Sequence, residues 1–152
     1  MTAEKLKERF CLTAHPENGS YAECHYPCSS DSRAMSGSIY YYVAPGELTK
    51  FHVIDCDEYW CYTAGSALDV WLIDEAGTVS VKKLGTEPGC EPLIYVKKGV
   101  IFASKHVGKV NDGTFLSCIT VPRFSPEGFK MLSDEYIAAN YPETKDFFSE
   151  VQ

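Results

Sequence analysis

From about residue 20 to residue 121 the chain alternates between two textures. Short β-branched and aromatic runs ("SIYYYV", "TKFHVI", "EYWCYT", "LDVWLI", "TVSVKKL", "LIYVKK", "VIFASKH", "TFLSCITV") are separated by clusters of Gly, Pro, Asp and Asn such as "APGE", "TAGSA", "DEAGT", "TEPGCEP" and "VNDGT". Runs of this kind read as strands, and eight at this spacing predict an all-β sandwich or closed barrel. The period changes at both ends. Leu6 and Phe10 fall on one face of a short helix over residues 3–11. After Ser125-Pro126 and Ser133, "EGFKMLSDEYIAANYPETKDFFSEV" predicts two or three short helices with Phe129, Leu132, Ile137, Phe147 and Phe148 turned toward the barrel. No repeat, linker or low-complexity segment interrupts the 152 residues, so a single domain over 1–152 is expected.

Side chains alternate faces along a strand, and this sorts the stretch "PGELTKFHVIDCDEYWCYTAG", Pro45 to Gly65. If His52 points into the barrel, so does Ile54. On the next strand Glu58, Trp60 and Tyr62 share one face, and Tyr59, Cys61 and Thr63 the other. An inward carboxylate beside an inward imidazole is a poised acid–base pair or half a metal site. Ser38, Tyr40 and Tyr42 likewise share a face. With Tyr62, phenol hydroxyls on an inner surface call for water or a ligand, and Tyr41 and Tyr59 then fall in the exposed register. His15 and Glu17 precede an Asn18-Gly19 turn into the first strand, and Glu23 faces either the cavity or a subunit interface.

Composition narrows the partners. Net charge is −7, and the basic residues come at most in pairs such as Lys82-Lys83 and Lys97-Lys98. Nucleic acid, which is bound through clustered Lys and Arg, is therefore not expected. No apolar run approaches a membrane span, and the charged start "MTAEKLKERF" lacks a signal-peptide core. The seven cysteines show no zinc-type spacing. These features together predict a cytoplasmic protein with reduced thiols.

The spacing of Gly46, His52, Glu58 and Gly65 resembles the first motif of the cupin superfamily: Gly, five residues, His-x-His, three or four residues, Glu, six residues, Gly. The motif's second histidine falls on Ile54. The second cupin motif is similar to "GCEPLIYVKKGVIFASKH" aligned on Gly99, where the family's metal-binding histidine falls on Phe102 and its closing asparagine on His106. The segments "LTAHPENGSYAE", "SGSIYYYVAPGE", "DEYWCYTAGSAL" and "FLSCITVPRFSPEGF" resemble a small, largely uncharacterised single-domain branch of these proteins. The resemblance implies a jelly-roll barrel (a double-stranded β-helix) with short N- and C-terminal helices, and a homodimer.

Two of the family's four metal ligands are replaced by apolar residues, so no metal and no other cofactor is expected; catalytic zinc or iron sites commonly keep three protein ligands. The analogy with cupin sugar-nucleotide epimerases suggests His52 as base, Glu58 as its orienting partner and Tyr62 or Tyr40 as acid. A ligand such as a nucleotide or sugar nucleotide would then lie against Ser38, Tyr40, Tyr42, Trp60, Phe102, His106, His15, Glu17 and Glu23. The alternatives are a non-catalytic nucleotide-binding module on the same pocket, and a metal-dependent oxygenase or isomerase with His106 as a further ligand.

Overall fold

The computed structural model describes residues 3–25, 33–107 and 112–149. Two antiparallel sheets face each other as a jelly-roll barrel. The larger follows the order β1 (Thr13–Ala14), β2 (Ser20–His25), β3 (Gly37–Val43), β10 (Thr114–Val121), β5 (Asp57–Gly65) and β8 (Leu93–Val96). The smaller follows β11 (Lys130–Met131), β4 (His52–Val53), β9 (Ile101–His106), β6 (Leu68–Ile73) and β7 (Val79–Leu84). Helix α1 (Ala3–Arg9) precedes them, and α2 (Asp134–Asn140) and α3 (Lys145–Phe148) follow. The eight expected runs all contribute strands, and β2 is the strand expected after the Asn18-Gly19 turn; β1 and β11 come in addition.

Alternation places the core. Ile54, Trp60, Leu68, Val70, Leu72, Ile94, Val96, Phe102 and Leu116 point between the sheets and exclude water from the barrel. On the outer face of the smaller sheet Phe51, Trp71, Ile73 and Ala103 meet Ile137 and Phe147, with Leu132 and Phe148 packed beside them. The C-terminal helices thus cover that face. Ser133 caps α2, its hydroxyl accepting the Tyr136 N–H at 3.2 Å. Phe129 instead packs on the inner core.

The aromatic run of β3 is where alternation assigns faces differently from expectation. Tyr41 is inward and 1% exposed, its ring 5.8 Å from that of Trp60. Tyr40 and Tyr42 take the outer face with Leu6, Phe10 and Phe115, beneath α1. The inner-surface expectation for Tyr40 and Tyr42, and the exposed one for Tyr41, are therefore corrected. Because α1 covers the outer face, both faces of β3 are apolar.

Candidate functional site

One end of the barrel opens into a cavity of about 410 Å³. Its walls carry His15, Glu17, His52, Glu58, Ile54 and Cys118 from the barrel and its first turn. Tyr21, Ile39, Thr120, Arg123, Phe124 and Phe129 complete them. Ser38 and Glu23 also line it, and the Glu23 carboxylate lies 3.4 Å from the Arg123 guanidinium.

His52 and Glu58 reach this cavity through the strand alternation already described. Glu17 arrives by a different route. The turn between β1 and β2 holds Asn18 at φ 80° and Gly19 at φ 78°, the left-handed conformation that an Asn-Gly pair tolerates. A Cβ on Gly19 would come within 2.8 Å of the Tyr41 ring, so only glycine lets the turn lie against the barrel. The Lys50 N–H donates to the Glu17 carbonyl at 2.8 Å, and Asn18 Nδ2 donates to the Leu48 carbonyl at 2.8 Å. The Tyr41 hydroxyl donates to the Asn18 carbonyl at 2.8 Å. So fixed, the turn pushes the Glu17 side chain inward, where the residue is 5% exposed.

The partner of His52 is therefore Glu17, not Glu58. His52 Nδ1 stands 2.8 Å from Glu17 Oε2 and donates its proton to the Lys50 carbonyl at 2.9 Å. The hydrogen is taken by the carbonyl, so the contact with Glu17 is electrostatic and Oε2 lacks an aligned hydrogen bond. This leaves Nε2 as the titrating nitrogen. Burial opposes charge on His52, but the Glu17 carboxylate more than offsets it, and its proton affinity ends above the ordinary histidine value. His15 behaves in the opposite way. Its Nδ1 accepts the Glu17 N–H at 3.3 Å, and burial lowers its pKa, with His52 adding to the effect against the opposing pull of Glu17. Burial, helped by the Glu17 charge, raises the Glu58 carboxyl to about 7. The cavity thus holds a histidine of raised proton affinity, one of lowered proton affinity, and a carboxyl pushed up to about 7. Such separation is what acid–base sites use.

Several other expected site residues lie elsewhere. Trp60 and Phe102 are buried beneath the cavity, at 1% and 0% exposure, and do not line it. Phe102 pairs with His52 across β4 and β9, their ring centroids 4.1 Å apart, so it supports the imidazole from behind. His106 sits toward the other end of the barrel. Its Nδ1 accepts the Gly46 N–H at 3.2 Å, and its Nε2 lies 3.3 Å from the Asp112 carbonyl. Tyr62 faces the core, but its hydroxyl donates to the Gly65 carbonyl at 2.6 Å and does not reach the cavity. Tyr40 and Tyr42 are excluded by their outward register. Tyr21, Cys118, Thr120, Arg123, Phe124 and Phe129 were not singled out as site residues; "VPRFSPEGF" reads as a connection.

The family's set of metal ligands is incomplete here. The two positions at which the family supplies further imidazoles hold the aliphatic Ile54 and the ring of Phe102. Among the described residues no three His, Cys, Asp or Glu side chains are grouped to hold an ion.

Comparison with known proteins agrees with the fold. The family model described as "Cupin superfamily (DUF985)" matches residues 4–132. Protein SO0799 from Shewanella oneidensis, solved by X-ray crystallography, is 28% identical with a TM-score of 0.89, covering 100% of this chain and 98% of that one. A hypothetical protein from Leishmania major is 26% identical with a TM-score of 0.83, covering 94% of each chain. Oxalate decarboxylase from Bacillus subtilis is 19% identical with a TM-score of 0.62, over 91% of this chain and 36% of that one, a likeness of fold alone. Among curated proteins there is no match. With a family match running through most of its length, from α1 to the end of the barrel, the chain belongs to the cupin superfamily.

Proposed function

We propose that this is a metal-independent cupin that binds a small polar metabolite of the nucleotide or sugar-nucleotide class in the open end of the barrel. The observation that carries the reading is the cavity of about 410 Å³ with His52, Glu17 and Glu58 in its wall. Its size falls in the range of small-molecule sites, about 300–1,000 Å³. Tyr21, Phe124 and Phe129 offer ring faces to a flat group, where stacking contributes roughly 1–3 kcal/mol per base. The ionisable groups supply directed polar contacts. A thermal-shift panel of nucleotides, sugar nucleotides and keto acids tests this, since a ligand of the folded state raises the melting temperature. For any hit, His52→Ala should weaken binding about tenfold or more, the loss of one hydrogen bond to a charged group. A hit whose affinity is unchanged in both His52→Ala and Glu58→Gln places the site elsewhere.

A second reading, turnover, is favoured by the opposed proton affinities. Glu58 as carboxylate would take a proton from carbon next to a carbonyl, while His52 Nε2–H protonates the developing oxyanion. Return of the proton to either face gives epimerisation or isomerisation. Solvent deuterium entering the bound ligand separates this from binding alone, and Glu58→Gln should abolish it.

A homodimer belongs to the same proposal. Tyr59 pairs with Tyr95 and with Ile119 across the larger sheet, and on its outer face this row adjoins Leu93 and Val121. Leu93, Tyr95 and Val121 are each more than 40% exposed. Apolar faces of this kind mark interaction sites. Light scattering at micromolar concentration should give twice the chain mass, and Tyr95→Glu should halve it. A monomeric wild type removes the dimer from the proposal.

A further inference from the structure

We infer that Glu47, outside the cavity, is the positioning residue of the site: it fixes the 15–19 turn to the barrel and thereby holds the Glu17 carboxylate against His52. The inference concerns the same pocket as the proposed function and deepens that reading, but it stands on geometry that requires no ligand.

Glu47 uses both carboxylate oxygens as acceptors. Oε1 takes the Gly19 N–H at 2.8 Å, and Oε2 takes the Ala44 N–H at 2.8 Å. One oxygen thus grips the end of the β1–β2 turn and the other the end of β3. Its own backbone is tied in turn. The Glu47 carbonyl accepts the His106 N–H of β9 at 3.0 Å, and the Glu47 N–H donates to the Ala44 carbonyl at 3.0 Å. His106 Nδ1 takes the neighbouring Gly46 N–H, so this histidine holds the loop from which Glu47 projects.

Besides this clamp the turn is held by the Lys50–Glu17, Asn18–Leu48 and Tyr41–Asn18 bonds. β1 contributes two residues, Thr13 and Ala14, to its sheet. Yet the turn delivers His15 and Glu17, two of the ionisable groups in the cavity wall. Glu17 is the charge that raises the proton affinity of His52 against burial. A carboxylate that accepts two backbone N–H groups is a strong, directional clamp, and a neutral amide cannot replace it because its NH2 half cannot accept. Glu17 and Glu58 are the carboxylates that raise the proton affinity of His52, and Glu47 bonds to the turn rather than to the imidazole. Its influence must pass through the position of the turn.

The test is the titration of His52 followed by NMR of the imidazole carbon-bound protons, in the full chain without ligand. Glu17→Gln should lower the His52 midpoint by about one pH unit or more, as expected for loss of an adjacent opposite charge. Glu47→Ala should lower it in the same direction while the β-sheet circular dichroism is retained. In the Glu17→Gln background, Glu47→Ala should produce no further fall. If Glu47→Ala does not fold, Glu47→Gln, which keeps one acceptor oxygen, is read in its place. A Glu47 variant that lowers the melting temperature but leaves the His52 midpoint at its wild-type value overturns the inference. So does an equal fall in the Glu17→Gln background. Neither result depends on a ligand, so a silent ligand panel would bear on the proposed function and leave this assignment standing.

Discussion

The two ends of the barrel are built from the same residue types and use them oppositely. At the closed end His106, Tyr62, Tyr42 and Thr114 spend their polar atoms on backbone. His106 Nδ1 accepts from Gly46, the Tyr62 hydroxyl donates to Gly65, the Tyr42 hydroxyl accepts the Gly113 N–H at 3.3 Å, and the Thr114 hydroxyl donates to the Ser66 carbonyl at 2.8 Å. At the open end His15, Glu17, His52 and Glu58 crowd charge into a wall where the pairing is incomplete. Buried polar groups are normally satisfied, and at this end Glu17 Oε2 has no aligned hydrogen bond. A histidine or tyrosine inside a barrel does not by itself mark a site; where its hydrogen bonds go decides it.

The comparison breaks most visibly at a glycine. Gly65 has φ 100°, and an added Cβ would overlap the Gly113 carbonyl. Gly65→Ala should destabilise the protein by about 3 kcal/mol or more, through backbone strain and steric overlap together. Urea denaturation would measure this, and a pocket ligand should still bind whatever fraction remains folded.

Glu58→Gln sharpens the open end. The Glu58 carboxyl goes from an ordinary value of 4.5 to about 7 in the fold. The folded state therefore holds a proton that the unfolded chain releases between these values. Stability from this group is greatest below about 4.5 and falls as pH rises to about 7, beyond which the full penalty remains. That penalty is about 3 kcal/mol. Glu58→Gln should accordingly be more stable than the wild type at pH 8, by up to this amount, and should flatten the pH dependence of the melting temperature between pH 5 and 7. His52 acts with the same sign. Its raised affinity favours the fold below the ordinary histidine value, and that contribution is lost as pH rises through its own midpoint.

Smaller effects belong to the closed end. His106→Ala removes the acceptor of the Gly46 N–H and should cost about 1–3 kcal/mol with little direct effect on ligand contacts. Tyr62→Phe removes one hydrogen bond and should cost about 1 kcal/mol, with ligand affinity and any deuterium exchange unchanged. Loss of exchange in Tyr62→Phe would return the tyrosine to the chemistry.

The sequence made the inner face of β5 legible because its strand is covered on one side by the core and less completely on the other. Glu58, Trp60 and Tyr62 then separate cleanly from Tyr59, Cys61 and Thr63. The same rule could not orient β3, since α1 covers its outer side and rings are favourable on both faces. The ligand deficit at Ile54 and Phe102 was visible from motif spacing. The His52–Glu17 contact was not, because it joins residues 35 positions apart through a turn whose local pattern says only that the chain reverses. Arg123 and Phe124 were hidden for a similar reason. They belong to an irregular segment after β10, where no period reports which side chains turn toward a cavity.

The Asn18-Gly19 turn carries a consequence for the durability of the protein. In a loose chain this dipeptide is prone to deamidation: the glycine nitrogen attacks the asparagine side-chain carbonyl, ammonia leaves, and water opens the ring to aspartate or isoaspartate. Here the Gly19 N–H is engaged by Glu47 and the Asn18 amide by the Leu48 carbonyl, so both reacting groups are held in other bonds. The contacts that seat the turn also restrain its chemical ageing. A chain in which the turn came loose would gain one dalton per event at Asn18, next to the carboxylate that governs His52, so damage there would be registered first in the pocket.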